Sequence, residues 1–140
     1  MSQENVEIVR RLIGAWDSGD YSGALDSIDP EIEVNAALQM DLDGTYRGHA
    51  GVAKMLGVFW AEFEGPRIEI EEAIAAGSDD VVVGVRFYGR GKRSGVVIGA
   101  PAWHVWRLRE GKAVRWRLLR TKQEALEAAG LSEQDAHANS

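Results

Sequence analysis

Between Arg67 and Leu119 apolar and polar residues alternate with a period of two, broken only by short runs rich in Gly, Ser, Asp and charged residues. Successive side chains of an extended strand point to opposite faces, so this rhythm belongs to strands with one face buried. Ile68 and Ile70 alternate with Glu69 and Glu71, Gly77-Ser78-Asp79-Asp80 is a turn, and Val81 to Tyr88 is strongly β-prone. Gly89 to Gly95 forms the next turn. A long strand follows from Val96 to Arg109, which Pro101 should bend or place beside a bulge. Arg109-Glu110-Gly111 then reverses the chain into a last strand, Ala113 to Leu119. Such a meander of four antiparallel strands needs other elements to cover its apolar face.

The rest of the sequence supplies them. Val6, Val9, Leu12, Ile13 and Trp16 recur at helical spacing, which predicts an amphipathic helix that starts near Ser2 to Asn5 and stops at Asp17-Ser18-Gly19. Asp20 can cap a second, short helix with Tyr21, Ala24, Leu25 and Ile28, ended by Asp29-Pro30. Glu31 to Ala36 alternates like a strand, with Ile32, Val34 and Ala36 inward. Val52, Met55, Leu56, Phe59, Trp60 and Phe63 return to helical spacing, up to Gly65-Pro66. Thr121-Lys122-Gln123-Glu124 matches a capping box for a closing helix that stops at Gly130. The order predicts the α+β class, with helices segregated on one face of a curved sheet. Residues 1–131 read as a single domain and 132–140 as a polar, frayed tail.

Composition narrows the function classes. A chain of 140 residues, 45% hydrophobic and 27% charged, is one ordinary soluble domain. The sequence has no cysteine, which excludes disulfides, thiolate metal sites and thiol redox chemistry and is compatible with a reducing, cytoplasmic setting. No apolar run approaches the roughly 18 residues of a spanning helix, and the N-terminus lacks the basic start and apolar centre of a signal peptide, so no membrane partner is expected. A net charge of -6 opposes nucleic-acid binding. His104 has no second ligand at metal spacing on its strand, while His49 and His137 lie near a helix start and in the tail, so neither a metal nor another cofactor is expected. The Gly89 to Gly95 run lacks the strand-to-helix context of a phosphate loop and reads as a turn.

The element order, together with Trp16-Asp17-Ser18-Gly19-Asp20, the segment Gly44-Thr45-Tyr46-Arg47-Gly48-His49-Ala50-Gly51-Val52 and the hairpin His104 to Lys112, resembles the SnoaL-like branch of the nuclear transport factor 2 superfamily. The resemblance implies a cone-shaped, cystatin-like fold in which a strongly curved, mostly antiparallel sheet wraps around the N-terminal helices and encloses an apolar cavity. Its relatives include ketosteroid isomerases, polyketide cyclases, limonene epoxide hydrolases and non-catalytic binding proteins, so the fold does not fix the activity. The resemblance places the steroid isomerase base at Asn35 or Ala36, its tyrosine near Leu12 and its aspartate at His104. The carboxylates of an epoxide hydrolase fall at Phe87 and Leu118, and a cyclase aspartate also falls near Leu118. Phe87 and Leu118 carry no proton to move.

The expected cavity wall is therefore apolar and aromatic: Trp16, Val34, Tyr46, Trp60, Phe63, Val83, Val85, Phe87, Trp106, Trp116 and Leu118. His104 is the one imidazole that alternation turns into it. Desolvation there favours a neutral ring, which suits a general acid or base, or an anchor for a ligand. The competing reading is a structural histidine bonded inside the fold, with Tyr46 and Asp17 as partners. Together these imply a pocket for a small apolar molecule. Two functions stay open: cofactor-free isomerisation, dehydration or cyclisation, and non-catalytic binding or scaffolding.

The same alternation turns Arg86, Tyr88, Trp103, Arg107, Arg115 and Arg117 to the opposite, convex face. Arg, Trp and Tyr carry much of the energy of protein interfaces, and Glu69 and Glu71 offer counter-charges, so a homodimer through this surface is expected.

Overall fold

A computed structural model of the chain describes residues 2–35 and 45–131, and the side chains of all of these except Ser2, Val58, Phe59 and Trp60. Ala36, His137, the side chain of Trp60 and the expected tail 132–140 lie outside the described residues.

Helix α1, Ser2–Asp17, ends where Gly19 takes a left-handed φ of 85°, and Asp20 then caps the short α2, Tyr21–Leu25, by accepting from the Gly23 N–H at 3.0 Å. Strand β1, Ile28–Asn35, and the three-residue β2, Thr45–Arg47, precede α3, Gly48–Trp60. The long strands β3, Phe63–Ala76, β4, Asp80–Gly91, and β5, Val97–Arg109, follow, then β6, Lys112–Leu119, and α4, Lys122–Ala128. The β5–β6 turn has positive φ at Glu110 (51°) and Gly111 (78°), the backbone of a two-residue hairpin loop that follows the twist of its strands. No described helix is long and apolar enough to cross a membrane.

One six-stranded sheet results, in the order β2-β1-β6-β5-β4-β3. The meander β3 to β6 is antiparallel, as the alternation predicts, while β1 pairs with β6 in parallel. Three local expectations need correction. Ile28 is not helical: it opens β1 opposite Ala113, and Pro30, which has no N–H to donate, sits in the gap of that pairing before Glu33. Phe63 likewise leaves its helix, because α3 stops at Trp60 and Phe63 pairs with Gly91 at the start of β3. Pro101 causes no register shift against β4. The β6 partners of β5 begin only at Trp103, so on that side the missing N–H of Pro101 interrupts no ladder. A shift in β6 pairing lies instead between Arg107 and Leu108, and it buries Ala113 while leaving Val114 half-exposed.

Each face of the sheet has its own core. On one face α1, α2 and α3 cover Ile32, Val34, Val81, Val83, Val85, Trp106, Leu108, Trp116 and Leu118 with Val9, Leu12, Ile13, Trp16, Ala24, Val52 and Met55. On the other, α4 lays Ala125 and Leu126 on Ile74, Val82, Val105 and Leu119. Thr121 starts α4 by accepting from the Glu124 N–H at 3.1 Å. Alternation along β4 to β6 thus feeds two cores, the second of which the sequence reading left as open surface.

Candidate functional site

The helix-covered face holds the aromatic cluster. Trp106 and Trp116 are register partners on β5 and β6, and their rings stack with centroids 4.7 Å apart and planes 7° from parallel. Trp16, from the end of α1, tilts across both at 5.6 and 5.0 Å. Arrangements of this kind add about 0.5–1.5 kcal/mol per pair beyond the area they bury. All three indoles are buried, so tryptophans occupy the middle of the wall.

His104 lies beside them. Its strand partners are Val83 on β4 and Leu118 on β6, and its ring meets Trp116 and Trp106 edge-on at 5.3 and 6.1 Å. Only 3% of the residue is exposed. Burial pushes the imidazole down from 6.5 to about 3, because an imidazolium here would have lost its water. The ring is therefore neutral at physiological pH. Its Nδ1 is buried without a hydrogen-bond partner among the described residues, and so are the Nε1 atoms of Trp106 and Trp116.

The two partners suggested for His104 stand elsewhere. Asp17 accepts from Arg67 Nε and Nη2 at 2.8 and 2.9 Å and from the Ile68 N–H at 2.9 Å, tying the end of α1 to β3. Those bonds from Arg67 lead in holding its carboxyl below the ordinary range. Tyr46 is half-buried against the core, packed on Gly51 of α3, where a Cβ would come within 3.1 Å of its backbone. His49 holds the start of α3 to β1 through Nε2, 2.7 Å from the Ile28 carbonyl.

Of the other wall residues, Val34, Val83, Val85 and Leu118 join Trp16, Trp106 and Trp116 in one buried cluster. Phe63 and Phe87 meet edge to face at 5.0 Å. No group of three or more His, Cys, Asp or Glu among the described residues could hold a metal ion. A separate, open cleft of about 280 Å³ lies between β1 and the β5–β6 turn, lined by Asp29, Glu31, Arg109, Glu110 and Val114.

On the opposite face, Arg107 grips the buried Asp80 with both prongs, at 2.9 and 3.2 Å, and Arg86 reaches Glu71 at 3.2 Å. Arg115 donates to Asn35 Oδ1 at 3.3 Å. Arg117 has Nε and Nη2 buried without a partner among the described residues, and burial together with the nearby Arg115 lowers its pKa. Tyr88 is exposed. Trp103 is half-buried, its ring lying over Gly84 so closely that a Cβ there would fall 2.6 Å from it, with Lys122 Nζ 5.9 Å above. Alternation gives no sign of these internal duties, because they depend on which strands are neighbours and on where α4 lands.

The family model of the SnoaL-like domain matches residues 9–116. Among solved structures, the chain is similar to TerC, crystallised with polyporic acid, at 27% identity over 91% of this chain and 98% of that one, with a TM-score of 0.75. It is similar to a protein of unknown function with a cystatin-like fold from Xanthomonas campestris, at 26% identity over 91% and 98%, TM-score 0.69. A protein with a ketosteroid isomerase-like fold from Catenulispora acidiphila, in complex with trimethylamine, shares the fold at 18% identity over 91% and 95%, TM-score 0.71. No curated protein matches the sequence.

Proposed function

The chain belongs to the SnoaL-like domain family, and on that premise we propose that it binds a small, largely apolar organic molecule on the helix-covered face, with the neutral His104 ring as the group that orients it. One observation carries this reading: a buried imidazole nitrogen with no partner among the described residues, set in a wall of tryptophans. A histidine kept only for packing would satisfy its ring nitrogens inside the fold. That TerC and the Catenulispora acidiphila protein were crystallised with small organic molecules supports small-molecule binding.

Cofactor-free isomerisation, dehydration or cyclisation would have to pass its proton through this imidazole, since Phe87 and Leu118 offer none. Proton transfer is most efficient when the catalytic pKa lies near the working pH. A ring held at about 3 is a weak base, which favours binding over turnover. The test is a titration with N-phenylnaphthylamine, a neutral dye that brightens in a dry apolar site. Saturable one-to-one binding at micromolar concentration, weakened several-fold by His104→Ala, is expected. Absence of saturable binding to the wild type overturns the proposal.

We propose also that two copies pair through the outer face. Arg115 and Arg117 lie on β6 and Glu69 on β3, so a two-fold axis can set the basic edge of one copy on the acidic edge of the other. Sedimentation should show a dimer that Arg117→Glu dissociates. A monomer unaltered by that substitution refutes the pairing. We place the protein in the cytoplasm, with which a cysteine-free sequence is compatible.

A further inference from the structure

A buried polar atom without a partner has given up water and received nothing in return, which is why folded proteins hold few of them. Among the described residues such side-chain atoms belong to His104, Trp106, Trp116 and Arg117, and the first three share one cluster of touching rings. Their chemistry is specific. An indole Nε1 only donates, and a neutral imidazole offers one donor and one acceptor. The cluster thus presents two donors that require an acceptor, and phenylalanine at either tryptophan position would fill similar space without that requirement.

We infer that Trp106 and Trp116 set the specificity of the site through their indole N–H groups, selecting neutral aromatic molecules that carry a carbonyl oxygen over hydrocarbons of the same shape. The inference rests on the binding reading above and narrows it from apolar to oxygen-bearing. Neutrality follows from the surroundings: Trp16, Val34, Val83 and Leu118 bring no counter-charge for an ionised ligand, and His104 stays uncharged. Trp16, from the end of α1, lies across both rings.

Fluorenone and fluorene, which share fused rings and differ by one carbonyl, test this in equilibrium dialysis. After correction for octanol partition, the wild type should hold fluorenone about fivefold to tenfold more tightly, the worth of one hydrogen bond. Trp106→Phe or Trp116→Phe should lower fluorenone affinity by a similar factor and leave fluorene unchanged. Equal affinity of the wild type for both compounds overturns the inference and leaves the binding reading standing. Binding of neither overturns that reading, and the inference with it. Should one variant lose its fold by circular dichroism, the wild-type preference and the other variant decide.

Discussion

Replacing His104 with leucine should remove a specific part of the protein's sensitivity to acid. The unfolded chain titrates this imidazole near 6.5, whereas burial holds the folded one at about 3. Because the folded pKa is the lower, the unfolded state takes up the proton first as pH falls. Stability is thus intact above about pH 6.5 and is lost progressively down to about pH 3. At about 1.4 kcal/mol per pH unit, the full loss is about 5 kcal/mol, and about 2 kcal/mol of it has accrued by about pH 5. Against a typical domain stability of about 5–15 kcal/mol, that is a large fraction. Urea unfolding followed by tryptophan fluorescence, at several pH values between about 7.5 and about 5, measures the effect. Leucine cannot titrate and leaves no unpartnered nitrogen, so the His104→Leu protein should lose about 2 kcal/mol less than the wild type over that interval. Carboxylates such as Asp17 contribute equally to both proteins and cancel in the comparison. Parallel stability curves would refute the argument, as would a His104 resonance titrating near its ordinary pKa.

Other substitutions test the supports of the site. Asp17→Ala removes the acceptor that joins α1 to the Ile68 N–H and should lower the unfolding free energy by about 1–2 kcal/mol, measured by urea denaturation. Gly84→Ala drives a methyl into the Trp103 ring and should cost about 1–3 kcal/mol. Adding Trp103→Leu should recover part of it, and a double-mutant cycle in which the two effects simply add would show that the ring is not the obstacle. Thr121→Ala deletes the α4 cap, with an expected loss of about 1 kcal/mol and faster amide exchange in α4.

The period-two run of β3 to β6 and the helical spacing of α1 were legible because each depends on neighbours within a few residues. What escaped depends on distant ones. Ile28 reads as the end of a helix until β6 lies beside it in parallel. Pro101 reads as the site of a bend or bulge until β6 is seen to stop at the level of Trp103. The three-residue strand Thr45 to Arg47 is too short to show a period, yet it forms the edge of the sheet beside β1. Alternation also placed His104, Trp106, Trp116 and Leu118 on one face, and the structure brings them together there. It could not reveal that three ring nitrogens of this group have no partner among the described residues, since satisfaction of a polar atom is decided by everything around it.

Both faces hang on the same two strands, and this limits how independent they can be. Arg117 lies between Trp116 and Leu118, and Trp103 precedes His104, so every inward group on the β5–β6 hairpin has an outward neighbour one residue away. A strand cannot rotate one side chain into the core without turning the next one out. Sliding β6 by one residue to relieve Arg117 would therefore expel Trp116 and Leu118 from the core and pull Arg115 and Arg117 in. The forked Arg107–Asp80 pair fixes β5 against β4 on the outer side, at the level where Trp106 meets Val81 on the inner side. Outer-face charge thus has a second consequence besides any partner it attracts: it holds the register that keeps the aromatic cluster assembled. On this reasoning Asp80→Asn, which weakens the pair while preserving shape, should loosen Trp106 packing and broaden the near-ultraviolet circular dichroism of the tryptophans. An unchanged spectrum would show that the inner stack keeps its register unaided.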